Sequence, residues 1–472
     1  MGRRAPLDGA RSGAGAGGGV GLTLGLTRRR LARPLLGAGV AGALAACAPT
    51  GTPASQGNQG AADNRPVTLE LWHDWGTTGG GGLAMLDQIE EYTRAKPHVT
   101  INNTPDANRQ KFITALASDT VPDLFKLNAP EVIEFGEQNA LLALDDLVKR
   151  DKWDLKQYFD FALQQCTYKG KLLAITHHPD IRNLFWSKKL YQESGLDENR
   201  PPQSWAELEL HAQRLLKRDG AEVLRFGFIP SWTANSWLLQ FWQANGAKIL
   251  SEDGKKLLFD GLQAVEATTW VMKITDSVNG GMDVVNSWNS SLNAGGGYSA
   301  LARERVALLF NGNWCFYPVS VENPTLTVGV QALPGGPGAS GSSFVFGGGT
   351  MVGATRASKQ QAAAWEYLKF VGSKDGQYLV QKRTSDVAGH REAAHNPEIV
   401  NKNLGRKDIL PLFEKANALS YVPSPAVRAI ETVLSETQTK LLTRAISPRD
   451  AVPEAAHLAQ QQLDEHWARQ GG

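Results

Sequence analysis

Between residues 67 and 139 two hydrophobic periodicities alternate, and this constrains the fold more than any other feature of the chain. Val67 to Trp72 alternates apolar and polar side chains as a strand does. Leu83, Leu86, Ile89 and Tyr92 then recur at helical spacing, and Val99-Thr100-Ile101 is β-rich again. The pattern continues with a helix from about Arg109 to Ala117, a buried strand over Pro122 to Leu127 and a helix from Ala129 to Asn139. Parallel neighbours need a crossover between them, usually a helix, so a chain of this kind is expected to be α/β with helices on both faces of a sheet. Further along, Leu172 to Ile175, Phe226 to Pro230 and Val306 to Phe310 read as strands. Pro202 to Arg218 reads as a helix with Ser204 as N-cap ahead of Glu207. Beyond Gln360 the pattern is mainly helical, notably Gln361 to Val371 and Ser424 to Leu442, and Pro334 to Ser343 reads as a long loop.

The first fifty residues follow a different logic. Residues 1 to 46 hold seven arginines and one acid, Asp8, while the whole chain is nearly balanced, with 49 Lys plus Arg against 47 Asp plus Glu. Behind Arg33 and Pro34 comes a small-residue apolar run, Leu35 to Ala46, the length of a signal-peptide core and too short to span a bilayer. Leu44-Ala45-Ala46-Cys47 resembles the lipoprotein cleavage box, which makes Cys47 the expected lipid-bearing residue. Thr27 to Arg33 is similar to the twin-arginine export pattern. Residues 48 to 65 are a polar tether. The near-neutral charge of +2 argues against nucleic acid as a partner.

Motifs of enzymatic chemistry are scarce. The chain lacks a P-loop, a His-Glu-x-x-His, a Gly-x-Ser-x-Gly and an EF-hand loop. Gly13, Gly15 and Gly18 match a dinucleotide fingerprint by spacing, with no strand before them. His177-His178 could suggest a metal, but neighbours on an extended strand point to opposite faces, so no metal site is expected. With three cysteines, Cys47, Cys166 and Cys315, a Cys166–Cys315 bridge is possible and two buried thiols are the expectation. The chain is rich instead in tryptophan, thirteen in all, whose flat apolar face with one N–H suits the apolar faces of a pyranose. Trp186, Trp205, Trp270 and Trp365 lie inside helical or strand patterns and are expected in the core.

Taken in order, eight segments resemble the extracellular solute-binding proteins of family 1, related to maltose-binding protein. They are Leu69 to Trp75, Leu116 to Phe125, Glu137 to Asp145, Tyr168 to Ile175, Leu184 to Leu196, Pro201 to Leu208, Phe310 to Trp314 and Ala363 to Phe370. The resemblance covers roughly residues 66 to 445. It implies a two-lobed periplasmic-binding-protein-like α/β fold of type II with a hinge and ligand in the cleft. Lobe one would be residues 66 to 177 with 346 to 396, and lobe two 178 to 345 with 397 to 472. Carried over by position, the ligand residues would be His73, Asp74, Trp75, Asn128, Asp180, Trp232, Trp288, Trp314, Gly348 and Arg391. Two positions depart from the family, with Ser187 where asparagine is usual and Thr176 where proline is usual.

The resemblance further implies a monomeric substrate-binding lipoprotein of an ABC importer, with a sugar or oligosaccharide as ligand and permease subunits as partners. It implies no catalysis and no cofactor, and an anchor through Cys47 on the outer face of the cytoplasmic membrane. Other readings stay open at this level: a lipid-anchored glycan-active enzyme, an envelope adhesion protein, or a binding protein whose ligand is a glycerophosphate or another polar solute.

Overall fold

The computed structural model describes residues 65–77, 79–118, 120–232, 237–291, 296–339, 341–384, 386–400 and 406–470. The expected signal peptide, Cys47 and most of the tether lie outside the described residues.

The alternation at the start folds as its periodicity predicts. β1 (Val67–Trp72), α1 (Gly80–Ala95), β2 (Val99–Thr104), α2 (Arg109–Ser118), β3 (Leu124–Asn128) and α3 (Ala129–Glu137) follow one another, and β1 pairs in parallel with β2 and β3. The chain continues through α4 (Asp145–Asp151), α5 (Asp160–Gln165) and a small hairpin of β4 (Thr167–Tyr168) and β5 (Lys171–Leu172). β6 (Ile175–Ser187) is the long strand that follows. Next come α6 (Lys188–Glu193), α7 (Trp205–Leu215), β7 (Lys217–Asp219), β8 (Glu222–Phe228), α8 (Trp237–Ala244) and α9 (Leu262–Lys273), the last running into a π-helical turn over Ile274–Val278. α10 (Met282–Ser291), α11 (Gly296–Ala302), β9 (Val306–Gly312), α12 (Phe316–Glu322), β10 (Val328–Gln331), β11 (Leu333–Pro334) and β12 (Ser343–Phe344) lead to the second long strand, β13 (Phe346–Ala354). The rest is mainly helical: α13 (Gln361–Gly372), α14 (Lys374–Arg383), α15 (Arg391–Ala394), α16 (Pro397–Val400), α17 (Arg406–Phe413), the short β14 (Ala418–Leu419), α18 (Val427–Leu442) and α19 (Pro448–Gln470).

One sheet runs through these elements in the order β2-β1-β3-β13-β6-β9-β8-β7, with β10 added beside β6 and β14 beside β13. β13 lies antiparallel between β3 and β6, and β6 lies antiparallel to β9, which pairs in parallel with β8. Two long strands thus join a parallel group at one end to another at the far end. Apolar side chains gather in three clusters. One holds Leu69, Leu71, Phe112, Phe125, Leu127, Phe135 and Trp365. A second holds Trp205, Phe241, Trp242, Ile430, Leu434 and Leu463, and a third Phe159, Phe185, Phe226, Trp288, Leu309 and Phe413.

Several boundaries depart from the sequence expectations, each for a local reason. The helix expected to reach Arg218 ends at Leu215, because residues 217–219 pair with β8 instead. Leu172 and Ile175 fall in different strands, and Ile175 opens β6, whose polar centre His-His-Pro-Asp hid it from a search for apolar runs. Adjacent histidines were expected on opposite faces, yet a β-bulge opposite Thr350 and Met351 makes His177 the extra residue. The two imidazoles therefore meet, Nδ1 to Nδ1, at 2.9 Å. Ser204 caps α7 as expected, accepting the Glu207 N–H at 3.2 Å. Ser187 caps α6 by accepting from Leu190, so the departure from asparagine leaves that turn formed. Cys166 and Cys315 are buried free thiols in different apolar clusters. Trp186, Trp205 and Trp365 are core residues as expected, and Trp270 packs against the second cluster.

Candidate functional site

Strand register builds the floor of the site. Residues directly paired on neighbouring strands share a face, as do positions two apart on one strand. Asn128 pairs with Thr350, Thr350 with His178, Gly348 with Asp180, and Arg182 with Gly312. Asn128, Thr350, His178, Gly348, Asp180 and Arg182 therefore form one polar face across β3, β13 and β6.

A cavity of about 460 Å³ stands over this face, within the size range of small-molecule sites. Asn128, Asp180, Arg182, Gly348 and Gly349 line its floor. Ala129 and Pro130, at the start of α3, form one wall, and Tyr421, Arg428, Glu431, Ser435 and Gln438 form the opposite one. The glycines are required by the close approach of β6. A Cβ on Gly348 would strike the Arg182 guanidinium and lie 2.7 Å from Asp180 Oδ1, and Gly349 has a φ of 141°.

Charge in the cavity is paired. Asp180 binds the Arg182 guanidinium. Arg428 donates to Glu431 at 2.9 Å and to Glu131 at 2.9 Å. Burial pushes the Asp180 carboxyl above the usual range, opposed by the Arg182 charge beside it. Burial likewise raises Glu131, whose carboxylate also accepts the Asn128 N–H at 2.7 Å and so helps start α3.

The loop after β1 adjoins this floor through Lys126. The buried ammonium donates to Asn128 Oδ1 at 2.9 Å, pairs with Asp74 at 2.9 Å and lies 5.0 Å from the centre of the Trp75 ring. Trp75 in turn stacks on His178, ring centres 5.3 Å apart and 19° from parallel. Its other support is the start of α1, where a Cβ on Gly81 would lie 2.8 Å from the indole. Of the four consecutive glycines Gly79 to Gly82, Gly81 thus seats Trp75, and Gly82 leaves room for the Gly76 carbonyl. Behind it His177 bonds Gln88 at 2.9 Å, and burial holds His73 and His177 below the usual histidine value and pushes His178 down to about 3. His178 Nε2 is 3.7 Å from Asp386, which accepts from Asn313 at 2.9 Å.

The ten positions carried over from the resemblance separate into groups. Asn128, Asp180 and Gly348 line the cavity, and His73, Asp74 and Trp75 adjoin its floor. Trp314 lies against the same floor, with the Arg182 guanidinium carbon 5.0 Å from its ring centre. The Trp232 side chain lies outside the described residues. Trp288 and Arg391 are elsewhere. Trp288 is 6% exposed, edge-on to Phe226 at 4.8 Å in the third core cluster, so packing claims its ring. Arg391 donates to the Tyr158 carbonyl at 2.9 Å and pairs with Glu414 and Asp160, which makes it a surface clamp at the start of α15.

Sequence reasoning missed Lys126, His178, Thr350, Arg182, Arg428 and Glu431. Arg182 and His178 were findable by stepping two residues either way from Asp180 along a strand. The α18 wall had a weaker signal: Arg428, Glu431, Ser435 and Gln438 form a polar helical stripe, a pattern shared by any solvent-facing helix.

The profile of the bacterial extracellular solute-binding proteins matches residues 75–378, which is more than half of the chain. This chain belongs to that family. A 322-residue stretch is 23% identical to a protein of Brucella abortus (strain 2308) named as a binding protein, covering 65% of this chain and 72% of the relative. Among solved structures, CpMnBP1 with mannotriose bound superposes with a TM-score of 0.69 at 24% identity, over 83% of this chain and all of the other. An ABC transporter solute-binding protein of Thermotoga lettingae, bound with α-D-tagatose, gives 0.69 at 19% identity, over 84% and 99%. The fold is thus the two-lobed α/β fold of periplasmic solute-binding proteins of the maltose-binding type. A solute-binding protein of this family works outside the cytoplasm, and among the described residues no helix is long and apolar enough to cross a membrane.

Proposed function

We propose that the protein captures an uncharged sugar or short oligosaccharide in the cavity over β3, β13 and β6 and delivers it to the permease of an ABC importer. The observation that carries this reading is the charge balance of the lining. Its four charged side chains, Asp180, Arg182, Arg428 and Glu431, are all engaged in ion pairs, so the cavity is ionic in texture and neutral in sum. An anion such as a glycerophosphate would meet cations already paired and would face the Asp180 and Glu431 carboxylates. A hydroxyl meets no such obstacle, because paired carboxylates and guanidinium groups keep spare lone pairs and N–H groups for charge-assisted bonds worth about 1.5–3 kcal/mol each. Two or three of these, with apolar contact from Tyr421, Val422 and Leu239, approach the roughly 8 kcal/mol of a micromolar site. The saccharides bound by the two structural relatives support the same class.

In this reading residues 66–177 with 346–396 and residues 178–345 with 397–472 are lobes that close about the ligand, and the closed form is what the permease engages. Cys47 carries the lipid that holds the protein at the outer face of the membrane. The test is a thermal-shift panel of neutral mono- and oligosaccharides, uronates, polyols and glycerophosphates. A solute at 100 times its dissociation constant stabilises by about 2.7 kcal/mol. A shift with neutral saccharides alone is expected; a shift confined to the anions would overturn the reading.

A further inference from the structure

α3 carries three glutamates at helical spacing, Glu131, Glu134 and Glu137, while its Val132, Ile133 and Phe135 belong to the first apolar cluster. Their side chains are only 6%, 11% and 7% exposed. Buried acids in a row require cations, and the cations come from three places. Arg109 on α2 holds Glu134. Lys169 and Tyr168, on the β4–β5 hairpin, hold Glu137 at 2.8 and 2.6 Å. The remaining partners come from α18 and α19, which pack together and place Ile430, Leu434, Ala455 and Leu463 in the second apolar cluster. Arg428, in the first turn of α18, reaches Glu131 at 2.9 Å and stands 3.8 Å from Glu134. His466, in the last turn of α19, stands 3.7 Å from Glu137, and beside it the Trp467 ring lies 5.9 Å from the Lys169 ammonium.

Two features mark this contact as one that opens. It joins α3 and the β4–β5 hairpin to α19, whose buried side chains belong to the second cluster, while α18 reaches both clusters through Val427 and Ile430, and it is incompletely bonded: His466 Nε2 and Trp467 Nε1 are buried with no hydrogen-bond partner among the described residues. A permanent interior seldom leaves such groups unmet. It also sits beside the cavity, whose opposing walls are the start of α3 and the next turns of α18. Moving α18 away from the start of α3 would have to break the Arg428–Glu131 pair.

We propose that the end of the α18–α19 pair is a latch: Glu137, Tyr168 and Lys169 on one side meet His466 and Trp467 on the other and set how long a ligand stays in the cavity without touching it. These are positioning residues, and the inference rests on the reading of the cavity as a ligand site between moving lobes. In the full-length protein, Glu137→Gln and Trp467→Ala are expected to speed ligand dissociation five- to tenfold in stopped-flow measurements, with the association rate within twofold of wild type. Trp467→Phe, which keeps the apolar ring, is expected to restore most of the residence time even if Trp467→Ala folds poorly. Unchanged dissociation in both variants, or equal slowing of association, would overturn the latch. X-ray scattering of the ligand-free variants separates this from failure of the functional reading. The latch is expected to hold a fraction of the ligand-free wild type closed, so both variants are expected to give a larger radius of gyration than wild type even if no saccharide binds, and an unchanged radius counts against the latch alone.

Discussion

Two neutral imidazoles in contact through their Nδ1 atoms can share only one proton there, and the partners of His177 and His178 decide where it sits. Gln88 donates its Nε2–H to the Gly376 carbonyl at 2.8 Å, which leaves its Oε1 to accept from His177. His177 therefore carries its proton on Nε2 and presents a bare Nδ1, so His178 donates from Nδ1. A second proton on His177 would place two N–H groups face to face. Burial already holds both rings below the usual histidine value, His178 at about 3. The sign of the pH effect follows. Below pH 6.5 the unfolded chain takes up protons that the folded chain refuses, so stability present above 6.5 is lost as pH falls toward 3. His178 contributes a loss of about 2 kcal/mol between pH 6.5 and 5, from roughly 1.4 kcal/mol per unit, and His177 acts in the same direction. Asp180 and Glu131, whose carboxyls are raised, act in the opposite sense only as the pH approaches their own range. Melting temperature against pH is expected to fall steeply over that interval, and His177→Gln with His178→Gln to flatten it; a wild-type profile already flat from 6.5 to 5 would contradict the tautomer scheme.

At the scale of elements, the two long strands control the site more than any helix does. β13 contributes Gly347-Gly348-Gly349, and at Gly348 the space a Cβ would fill is occupied by the Asp180–Arg182 pair. Gly348→Ala is expected to cost about 1–3 kcal/mol of stability by overpacking. It is also expected to abolish the thermal shift with saccharide, because the pair it displaces is part of the floor; calorimetry showing wild-type affinity would exclude that role. The elements were unevenly legible beforehand. β1, α1, β2, α2, β3 and α3 follow from hydrophobic periodicity, which depends on neighbours a few residues away. β6 did not, because His177, Pro179, Asp180 and Arg182 break any apolar pattern. Pro179, Asp180 and Arg182 are held in strand conformation by pairing with β13, with β9 joining on the other side from Arg182, and His177 is the bulge between paired neighbours.

For the whole molecule, the two clusters built around Leu69, Phe125 and Trp365 and around Trp205, Trp242 and Leu463 are the arrangement expected of a hinged protein, while the third, with Phe159 and Phe226, packs residues of both proposed lobes together beside the long strands. Saturating saccharide is expected to lower the radius of gyration in X-ray scattering, and the same scattering curve with and without a bound ligand would show that capture proceeds without closure. The latch and the cavity lie on the same opening motion, so ligand and latch both stabilise the closed state, and their effects on residence time are coupled.

The sequence by itself determined the α/β class, the order of the early elements and the likeness to solute-binding proteins, because periodicity and segment order are properties of the chain read locally. It also singled out Asn128, Asp180 and Gly348, which line one cavity in the structure, since each stands on or next to a recognisable segment. Only the tertiary structure decided that Trp288 belongs to a core and Arg391 to a surface clamp. A tryptophan or arginine has the same letter in either setting, and burial is fixed by elements far away in the chain. The α18 wall, the Lys126 bridge and the contact of His466 with Glu137 were decided in the same way. They join residues 52 to 329 positions apart, and no spacing along the chain records which faces the sheet brings together.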